Sequence, residues 1–124
     1  MLKLYIKRKG KEMINCIFCK IINGEIPAKI YYEDEEILSF ADINPEAPFH
    51  ILIIPKKHIV SSKISSNKDL VGKLISTAYK ISKKEKLTDG FRLIMNFGKD
   101  SGQIVEHIHF HVLGGKDLGS KLLP

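Results

Sequence analysis

Apolar and polar positions alternate along several short stretches of the chain, which is the pattern of half-buried strands. Two strands that turn through Glu33 to Glu36 are predicted in KIYYEDEEILSFAD, and a buried strand that ends at Pro55 is predicted in HILIIPKKH. Two further strands are predicted in FRLIMNF and HIHFHVL, separated by the loop GKDSGQ. The pattern therefore indicates five strands.

Helical spacing appears in two stretches. It predicts one short helix in CIFCKIING, ending at Asn23-Gly24, and a long helix that follows Ser66 or Asn67, either of which can cap it. The apolar positions of the long helix are Leu70, Val71, Leu74, Ile75, Ala78 and Ile81. Because parallel strands would need more crossover helices, we expect an α+β fold: a five-stranded antiparallel sheet with one short and one long helix.

Composition and charge narrow the class of protein. The 124 residues fit one domain, and 44% are hydrophobic. Of the net charge of +6, residues 1–15 carry +4, so residues 16–124 carry only +2. Because the body of the chain has little basic excess, we expect no nucleic-acid partner. No apolar run approaches the ~20 residues that span a bilayer, so we expect no membrane partner either.

The basic excess suggests a boundary near the start of the chain. We interpret residues 1–13 as a basic, mobile N-terminal extension and residues 14–124 as the domain, with Met13 as a hypothetical alternative start. The two cysteines, Cys16 and Cys19, are too close in sequence for a bridge between them to staple anything distant. We therefore expect reduced thiols and a cytoplasmic protein.

Three histidines, at positions 107, 109 and 111, alternate with apolar residues in VEHIHFHVLGG. Alternate side chains of a strand share a face, so we expect the imidazoles on one face and Ile108, Phe110 and Val112 in the core. One zinc ion held by all three is disfavoured, because the outer Cα atoms of such a strand lie ~13 Å apart and zinc–nitrogen bonds are ~2 Å long. Structural histidines are the second interpretation.

The third interpretation is a nucleophilic histidine with helpers on both sides. Neutral imidazole is a good nucleophile when neighbours fix its tautomer and move protons. Four glycines bracket the histidines: Gly98, Gly102, Gly114 and Gly115. Glycines allow main-chain N–H groups to approach an anion closely, so the combination favours phosphate chemistry.

The residues HIHFHVL, 107–113, match at every position the signature His-φ-His-φ-His-φ-φ of the histidine triad (HIT) superfamily, in which φ is apolar. The segments CIFCKIINGEIPAKIYYEDEEILSFADINPEAPFHILIIPKKHI and FRLIMNFGKDSGQ also resemble the Hint branch of that family, the nucleoside phosphoramidases. The resemblance covers roughly residues 14–119. It implies a half-barrel sheet, a homodimer with a continuous sheet, and a cleft for a purine nucleotide such as AMP or GMP.

The resemblance also implies a reaction, the hydrolysis of the P–N bond of purine nucleoside 5′-phosphoramidates, with aminoacyl adenylates as further substrates. His109 would attack the α-phosphorus to form a nucleotidyl-histidine, and His111 would contact a phosphate oxygen. His107 and His50 would form a relay that holds the nucleophile's tautomer and moves protons to the leaving amine. No cofactor is required for this chemistry.

The same resemblance assigns the nucleotide contacts. Asp42 would hold the ribose hydroxyls, and Asn96, Gly102 and Gln103 would contact phosphate or ribose. An apolar slot for the purine would comprise Ile17, Phe18, Ile21, Phe40 and Ile43. Plain core packing is the alternative interpretation for these five residues.

Two positions depart from the family pattern. Ile104 stands where relatives often have a small polar or acidic residue, so its side chain cannot donate a hydrogen bond to the leaving group. Glu106 stands where relatives have an aromatic residue, and the C-terminal LGSKLLP has no Trp. These departures put the leaving-group preference in question. Two alternatives stay open. A dinucleoside polyphosphate hydrolase or nucleotidyl transferase would use the same histidine, and Ile104 is compatible with a non-catalytic nucleotide-binding regulatory dimer.

The cysteine pair by itself is half a zinc site and fits core packing or redox chemistry equally well. Some bacterial HIT proteins are similar here and bind zinc with this pair, the histidine of a Pro-Lys-x-His segment and the first triad histidine. The matching residues are Cys16, Cys19, His58 and His107. Two thiolates and two imidazoles form a closed tetrahedral set, so the resemblance implies a structural zinc ion.

Overall fold

Five antiparallel strands form one sheet in the order β1-β2-β3-β5-β4. The computed structural model describes residues 15–120. The strands are β1 (Ile30–Glu33), β2 (Ile37–Ala41), β3 (Phe49–Pro55), β4 (Phe91–Ile94) and β5 (Phe110–Gly114). The sequence-based prediction of a five-stranded antiparallel sheet is confirmed. The predicted extension over residues 1–13 and the hypothetical start at Met13 lie outside the described residues.

One short and one long helix accompany the sheet, as predicted. They are α1 (Ile17–Ile22) and α2 (Lys68–Lys84), and the 3₁₀ helices Ser61–Asn67 and Lys99–Ser101 lie between the larger elements. Asn67 precedes α2, but its side chain makes no capping hydrogen bond. Its amide instead donates to the Lys63 carbonyl, so the predicted side-chain cap is wrong at this residue. In the described part of the chain, none of the helices has the length and apolarity to cross a membrane.

The two faces of the sheet carry separate apolar clusters, because side chains alternate along each strand. The cluster under α2 includes Ile51, Ile53, Leu74, Ala78, Ile81, Ile108, Phe110 and Val112. The cluster on the α1 face includes Phe18, Leu38, Phe40, Leu52 and Ile54. The prediction that Ile108, Phe110 and Val112 point into the core is confirmed, and His109 and His111 therefore belong to the opposite, α1 face.

Two details of the predicted elements are wrong. The last strand begins at Phe110, three residues later than predicted. Before it, the Ile108 N–H donates to the Ile59 carbonyl at 2.8 Å, so His107 and His109 lie in a segment held by the chain that follows β3. In α2, Ile75 is 45% exposed although it has the spacing of a core residue, whereas Leu74 is fully buried.

Leu74 supplies a test of the core under α2. We expect Leu74→Ala to lower the free energy of unfolding by about 2–5 kcal/mol, because a buried leucine leaves both lost burial and a cavity. Ser76, an exposed residue two positions along the same helix, provides the control, and Ser76→Ala should change stability by about 0.5 kcal/mol or less. Urea unfolding of both variants measures the difference. Equal free energies of unfolding would contradict the assignment of Leu74 to the core.

Candidate active site

A cavity of about 410 Å³ opens on the α1 face of the sheet. Strand register builds its floor, since Phe40 pairs with Leu52 and Leu52 pairs with His111. All eleven of the following predicted residues line it: Ile17, Phe18, Ile21, Phe40, Asp42, Ile43, Asn96, Gly102, Gln103, His109 and His111. Residues from α1, β2, β5 and two loops, distant in sequence, therefore meet at one opening.

The apolar part of the cavity contains the five residues predicted to form the purine slot. Phe18 and Phe40 are only 5% and 3% exposed, so they are core residues that also present a surface to the cavity. Ile17 and Ile43 are 43% and 84% exposed, so core packing does not explain them. Core packing therefore applies to Phe18 and Phe40, whereas the interpretation as an apolar slot remains for Ile17 and Ile43.

His109 lies at the junction between this apolar surface and the polar groups. Its Nδ1 is 2.8 Å from the main-chain carbonyl oxygen of His107. A carbonyl can only accept a hydrogen bond, so Nδ1 carries the ring proton and Nε2 keeps its lone pair. Burial lowers the pKa of His109, opposed by the bond to His107 and by the charges of Asp42 and Glu106. The neutral ring that results is the form that can act as a nucleophile.

Beside His109, the imidazoles of His50 and His111 form a hydrogen-bonded pair. His50 Nε2 is 2.9 Å from His111 Nδ1, and His50 Nδ1 accepts the Glu46 N–H at 3.0 Å. Burial lowers the pKa of His50, partly offset by Asp42 and Glu46. Burial, together with His109 and His50, lowers the pKa of His111 to about 4. His111 is therefore neutral at physiological pH and can donate a hydrogen bond, without the charge of an imidazolium.

The third histidine of the triad, His107, is completely buried. Its ring Nε2 lies 2.8 Å from the Pro55 carbonyl oxygen, and its Nδ1 lies 3.4 Å from Cys16 Sγ. This corrects the predicted relay. The main-chain oxygen of His107, and not its imidazole, holds the tautomer of His109, and His50 hydrogen-bonds to His111 and not to His109.

Four side chains around His107 form a set that could hold a metal ion. The ligand atoms of Cys16, Cys19, His58 and His107 all lie within 4.8 Å of one another. The sulfur–nitrogen distances are 3.3, 3.4 and 3.7 Å. Tetrahedral zinc, with bonds of about 2.3 Å to sulfur and 2.0–2.1 Å to nitrogen, would separate such ligands by roughly 3.5 Å, so the set fits that ion.

The surroundings of this set also suit a metal ligand. Because Nε2 of His107 donates to the Pro55 carbonyl, Nδ1 is the unprotonated nitrogen that faces the cysteines. Burial lowers the pKa of His107 to about 4, partly opposed by the bond to Pro55, which keeps the ring neutral. Cys16 and Cys19 form no disulfide. A second group, Asp42, His50 and His111, also has its ligand atoms within 4.8 Å, but an N–H···N hydrogen bond accounts for its closest contact.

The loop between β4 and β5 uses its polar groups internally. Gln103 Oε1 accepts the Gly98 N–H at 2.7 Å and the Ser61 hydroxyl at 3.2 Å, while Nε2 donates to the Val105 carbonyl. The Gly102 N–H donates to the Lys99 carbonyl at 3.0 Å. Gln103 and Gly102 therefore line the cavity with their polar groups already engaged, which differs from the expected direct contacts to phosphate or ribose.

The glycines that follow the triad have structural explanations. A Cβ atom on Gly114 would lie 3.3 Å from Leu87 Cδ1. Gly115 has a φ of 91°, and a Cβ atom there would lie 3.0 Å from Pro48 Cβ. Close packing and turn geometry thus account for both residues, and neither one lines the cavity. The expectation that they serve phosphate binding is wrong.

The two departures from the family pattern occupy different places. Ile104 lines the cavity and is 93% exposed, so an apolar side chain stands at the opening beside His109. Glu106 is exposed and accepts from the Ser61 hydroxyl at 3.3 Å, which joins the loop to the 3₁₀ helix after β3. Glu106 therefore anchors the loop that carries Ile104.

Some contributors were not predicted from the sequence. Val105 and Asn44 line the cavity, as does the segment Ile26–Ala28. Val105 could have been found, because it has the same parity in sequence as His109 and His111. The Pro55 carbonyl and the Glu46 N–H could not, since main-chain groups leave no signal in residue type.

The family of the chain follows from comparison with known proteins. The HIT domain family model matches residues 23–118. The chain therefore belongs to the HIT domain family, as the resemblance predicted. It is 47% identical over 104 residues to Protein HitA of Neisseria gonorrhoeae, covering 82% of this chain and 97% of the relative. It is also 47% identical over 109 residues to the purine nucleoside phosphoramidase of Escherichia coli (strain K12), covering 86% and 92%.

Solved structures agree with this assignment. A HIT family hydrolase from Clostridium thermocellum superimposes with a TM-score of 0.83 at 47% identity, over 88% of this chain and 97% of that one. A histidine triad protein from Clostridium difficile also gives a TM-score of 0.83, at 46% identity, over 87% and 96%. The likeness therefore covers nearly the whole length of these proteins.

Proposed function

We propose that the chain hydrolyses purine nucleoside 5′-phosphoramidates through a nucleotidyl intermediate on His109. The observation that carries the proposal is the 2.8 Å bond from His109 Nδ1 to the His107 carbonyl, which leaves Nε2 unprotonated in a residue that lines the cavity. The name of the Escherichia coli relative, purine nucleoside phosphoramidase, supports the substrate class.

Nucleotide binding begins with the apolar slot. Phe18, Phe40 and Ile43 offer surface for a purine ring, and Asp42, at the same opening, offers carboxylate oxygens to the ribose hydroxyls. The α-phosphorus then lies between His109 and His111. Asn96, Gly102 and Gln103, from the loop between β4 and β5, form the wall of the cavity beside the phosphate and ribose, where the internal bonds of Gly102 and Gln103 hold the loop in shape.

In the first chemical step His109 Nε2 forms a bond to phosphorus and the P–N bond of the substrate breaks. The ring becomes a phosphorylated imidazolium, whose positive charge is stabilised by the Nδ1–H bond to the His107 carbonyl. His111 donates its Nε2–H to a phosphoryl oxygen, where negative charge increases. The amine leaves with a proton from water at the open end of the cavity, because Ile104 there has no proton to give.

The second step is hydrolysis of the intermediate. Water attacks phosphorus, the bond to His109 breaks, and the electron pair returns to Nε2 of the neutral ring. The proton of the attacking water passes to solvent, and the nucleoside monophosphate leaves. No cofactor takes part in either step.

We also propose an oligomeric state, a cellular location and a domain boundary for the protein. Strand β4 lies at one edge of the sheet, and Ile75 and Tyr79 of α2 are 45% and 60% exposed. An edge strand and exposed apolar side chains support a homodimer with a continuous sheet. The sequence has only two cysteines, three positions apart, and this composition supports a cytoplasmic location. The domain is taken as residues 14–124 with a basic extension before it.

Removal of the nucleophile tests the reaction. We expect His109→Ala to lower kcat/KM for an adenosine 5′-phosphoramidate by roughly 10³-fold or more, because the covalent path disappears with the ring. Ser76→Ala, on the exposed face of α2, should retain the rate of the original protein. Steady-state release of AMP from each protein gives the comparison.

The same assay separates the alternatives. Turnover of diadenosine tetraphosphate in place of the phosphoramidate would favour the dinucleoside polyphosphate hydrolase. Nucleotide binding without turnover of either substrate would favour the regulatory dimer. Equal phosphoramidate rates for the original protein and His109→Ala would contradict the proposed mechanism.

We further propose that Cys16, Cys19, His58 and His107 bind a structural zinc ion. The ligand spacing supports this assignment. With four protein ligands the ion would have no open position for substrate, and it would cross-link α1 to the segments that follow β3 and precede β5. The protein's own residues therefore perform the chemistry.

Zinc binding predicts a metal content of about one ion per chain in protein purified without chelators. A strong chelator should lower the melting temperature of the original protein, because the ion stabilises the folded state only. The double variant Cys16→Ser/Cys19→Ser should contain no zinc, and its melting temperature should not respond to the chelator. Zinc near zero in the original protein, measured by plasma mass spectrometry, would contradict the assignment.

A further inference from the structure

Both carboxylate oxygens of Asp42 accept hydrogen bonds or face ring nitrogens within the protein itself. Oδ1 accepts the Asn44 N–H at 2.8 Å. Oδ2 lies 3.3 Å from His50 Nε2 and 3.9 Å from His111 Nδ1. The Asp42 side chain is 18% exposed, so it is reachable from the cavity while it makes these contacts. A residue that served only the ribose would not need to be directed at two histidines.

The tautomer of His50 follows from its other contact. Its Nδ1 accepts the Glu46 N–H at 3.0 Å, and a nitrogen that accepts a hydrogen bond carries no proton. The single ring proton is therefore on Nε2. Two acceptors face that proton, His111 Nδ1 at 2.9 Å and Asp42 Oδ2 at 3.3 Å. The ring of His50 is thus held at one end by a main-chain N–H and at the other by a carboxylate.

The orientation of His50 decides the tautomer of His111. Because His111 Nδ1 accepts from His50 Nε2–H, the proton of His111 must be on Nε2. That is the donor that the proposed reaction directs at the phosphoryl oxygen. If the ring of His50 rotated, His111 Nδ1 would lose its donor and the ring could adopt the other tautomer.

We propose that Asp42 is a positioning residue for the His50–His111 pair, in addition to holding the ribose. Its Oδ2 attracts the Nε2–H of His50 and so holds that ring in the orientation in which the same N–H reaches His111 Nδ1, so that His111 presents its own N–H group to the phosphate. This inference rests on the proposed function for its effect on rate. The two roles of Asp42 can be separated by experiment. Ribose binding requires the sugar hydroxyls of the substrate, whereas positioning of His50 does not.

The test combines a variant with a substrate that lacks the hydroxyls. In Asp42→Asn one oxygen becomes an amide nitrogen, so whichever way the amide faces, one N–H meets another, either of Asn44 or of His50. We expect kcat for the 2′,3′-dideoxyadenosine 5′-phosphoramidate to fall by roughly 10- to 100-fold relative to the original protein. If Asp42 acts only on the ribose, the two proteins will hydrolyse this substrate at equal kcat, and the proposal is overturned.

Two further variants separate positioning from loss of the local turn. Asp42→Ser keeps a side-chain acceptor for the Asn44 N–H but lacks the second oxygen, so its kcat on the dideoxy substrate should fall as well. Asp34 is a matched control, because its Oδ1 accepts the Glu36 and Ile37 N–H groups and its Oδ2 accepts the Tyr32 hydroxyl. Asp34→Asn should keep the kcat of the original protein on both substrates.

A measurement without substrate keeps the inference separate from the proposed function. Nitrogen-15 NMR of the histidine rings should show His111 protonated on Nε2 in the original protein and in Asp34→Asn, and a mixture of tautomers in Asp42→Asn. An unchanged His111 tautomer in Asp42→Asn overturns the proposal. If the original protein hydrolyses neither phosphoramidate, the proposed function fails, and the NMR result alone decides the role of Asp42.

Discussion

The hydrogen bond from His109 Nδ1 to the main-chain oxygen of His107 is the interaction on which the site depends. A carbonyl oxygen has no proton and cannot exchange roles with its donor, so the tautomer of His109 is fixed as firmly as the main chain is. The position of that main chain is in turn set by the bond from the Ile108 N–H to the Ile59 carbonyl. A lone pair is thus placed in the cavity by backbone geometry.

Because side chains alternate between the two faces of the sheet, one face packs against α2 and the other lines the cavity. Ile108, Phe110 and Val112 pack under α2, where they hold the segment in place. His109 and His111, on the other parity, line the cavity with residues of α1. Because α1 supplies Phe18 and Cys19, and Cys16 is its N-cap residue, one short helix joins the cavity to the candidate metal site.

Residue types and their spacing were sufficient to predict the five strands and the two helices, whereas most of the predicted residues that line the cavity came from the resemblance to the HIT family. A run of apolar residues identified β3, and helical spacing of apolar residues identified α2. The triad with its flanking segments identified the family. Ile75 was misassigned because helical spacing cannot distinguish the centre of a buried face from its margin. The predicted start of the last strand, β5, lies three residues too early, because the alternation of apolar and polar residues continues before Phe110, where the Ile108 N–H bonds to the Ile59 carbonyl and not to a neighbouring strand.

Contacts made by the main chain could not be predicted at all. The sequence predicts a proton relay through the imidazole of His107, yet that ring contacts Pro55 and Cys16 and only the main-chain carbonyl of His107 contacts His109. Likewise, the Glu46 N–H that fixes His50 leaves no trace in the identity of residue 46. The role of Gly115 was also predicted wrongly, because its close approach to Pro48, which is distant in sequence, is visible only in the folded chain.

The central claim is that His109 Nε2 forms a covalent bond to the nucleotide. Rapid acid-free quenching of a single turnover with an adenosine 5′-phosphoramidate, followed by proteolysis and mass spectrometry, tests it most directly. We expect an adenylyl group on the peptide that contains His109, specifically on that ring, formed as fast as the amine is released. Release of the amine with no nucleotide on the protein, or with the nucleotide on another residue, would contradict it.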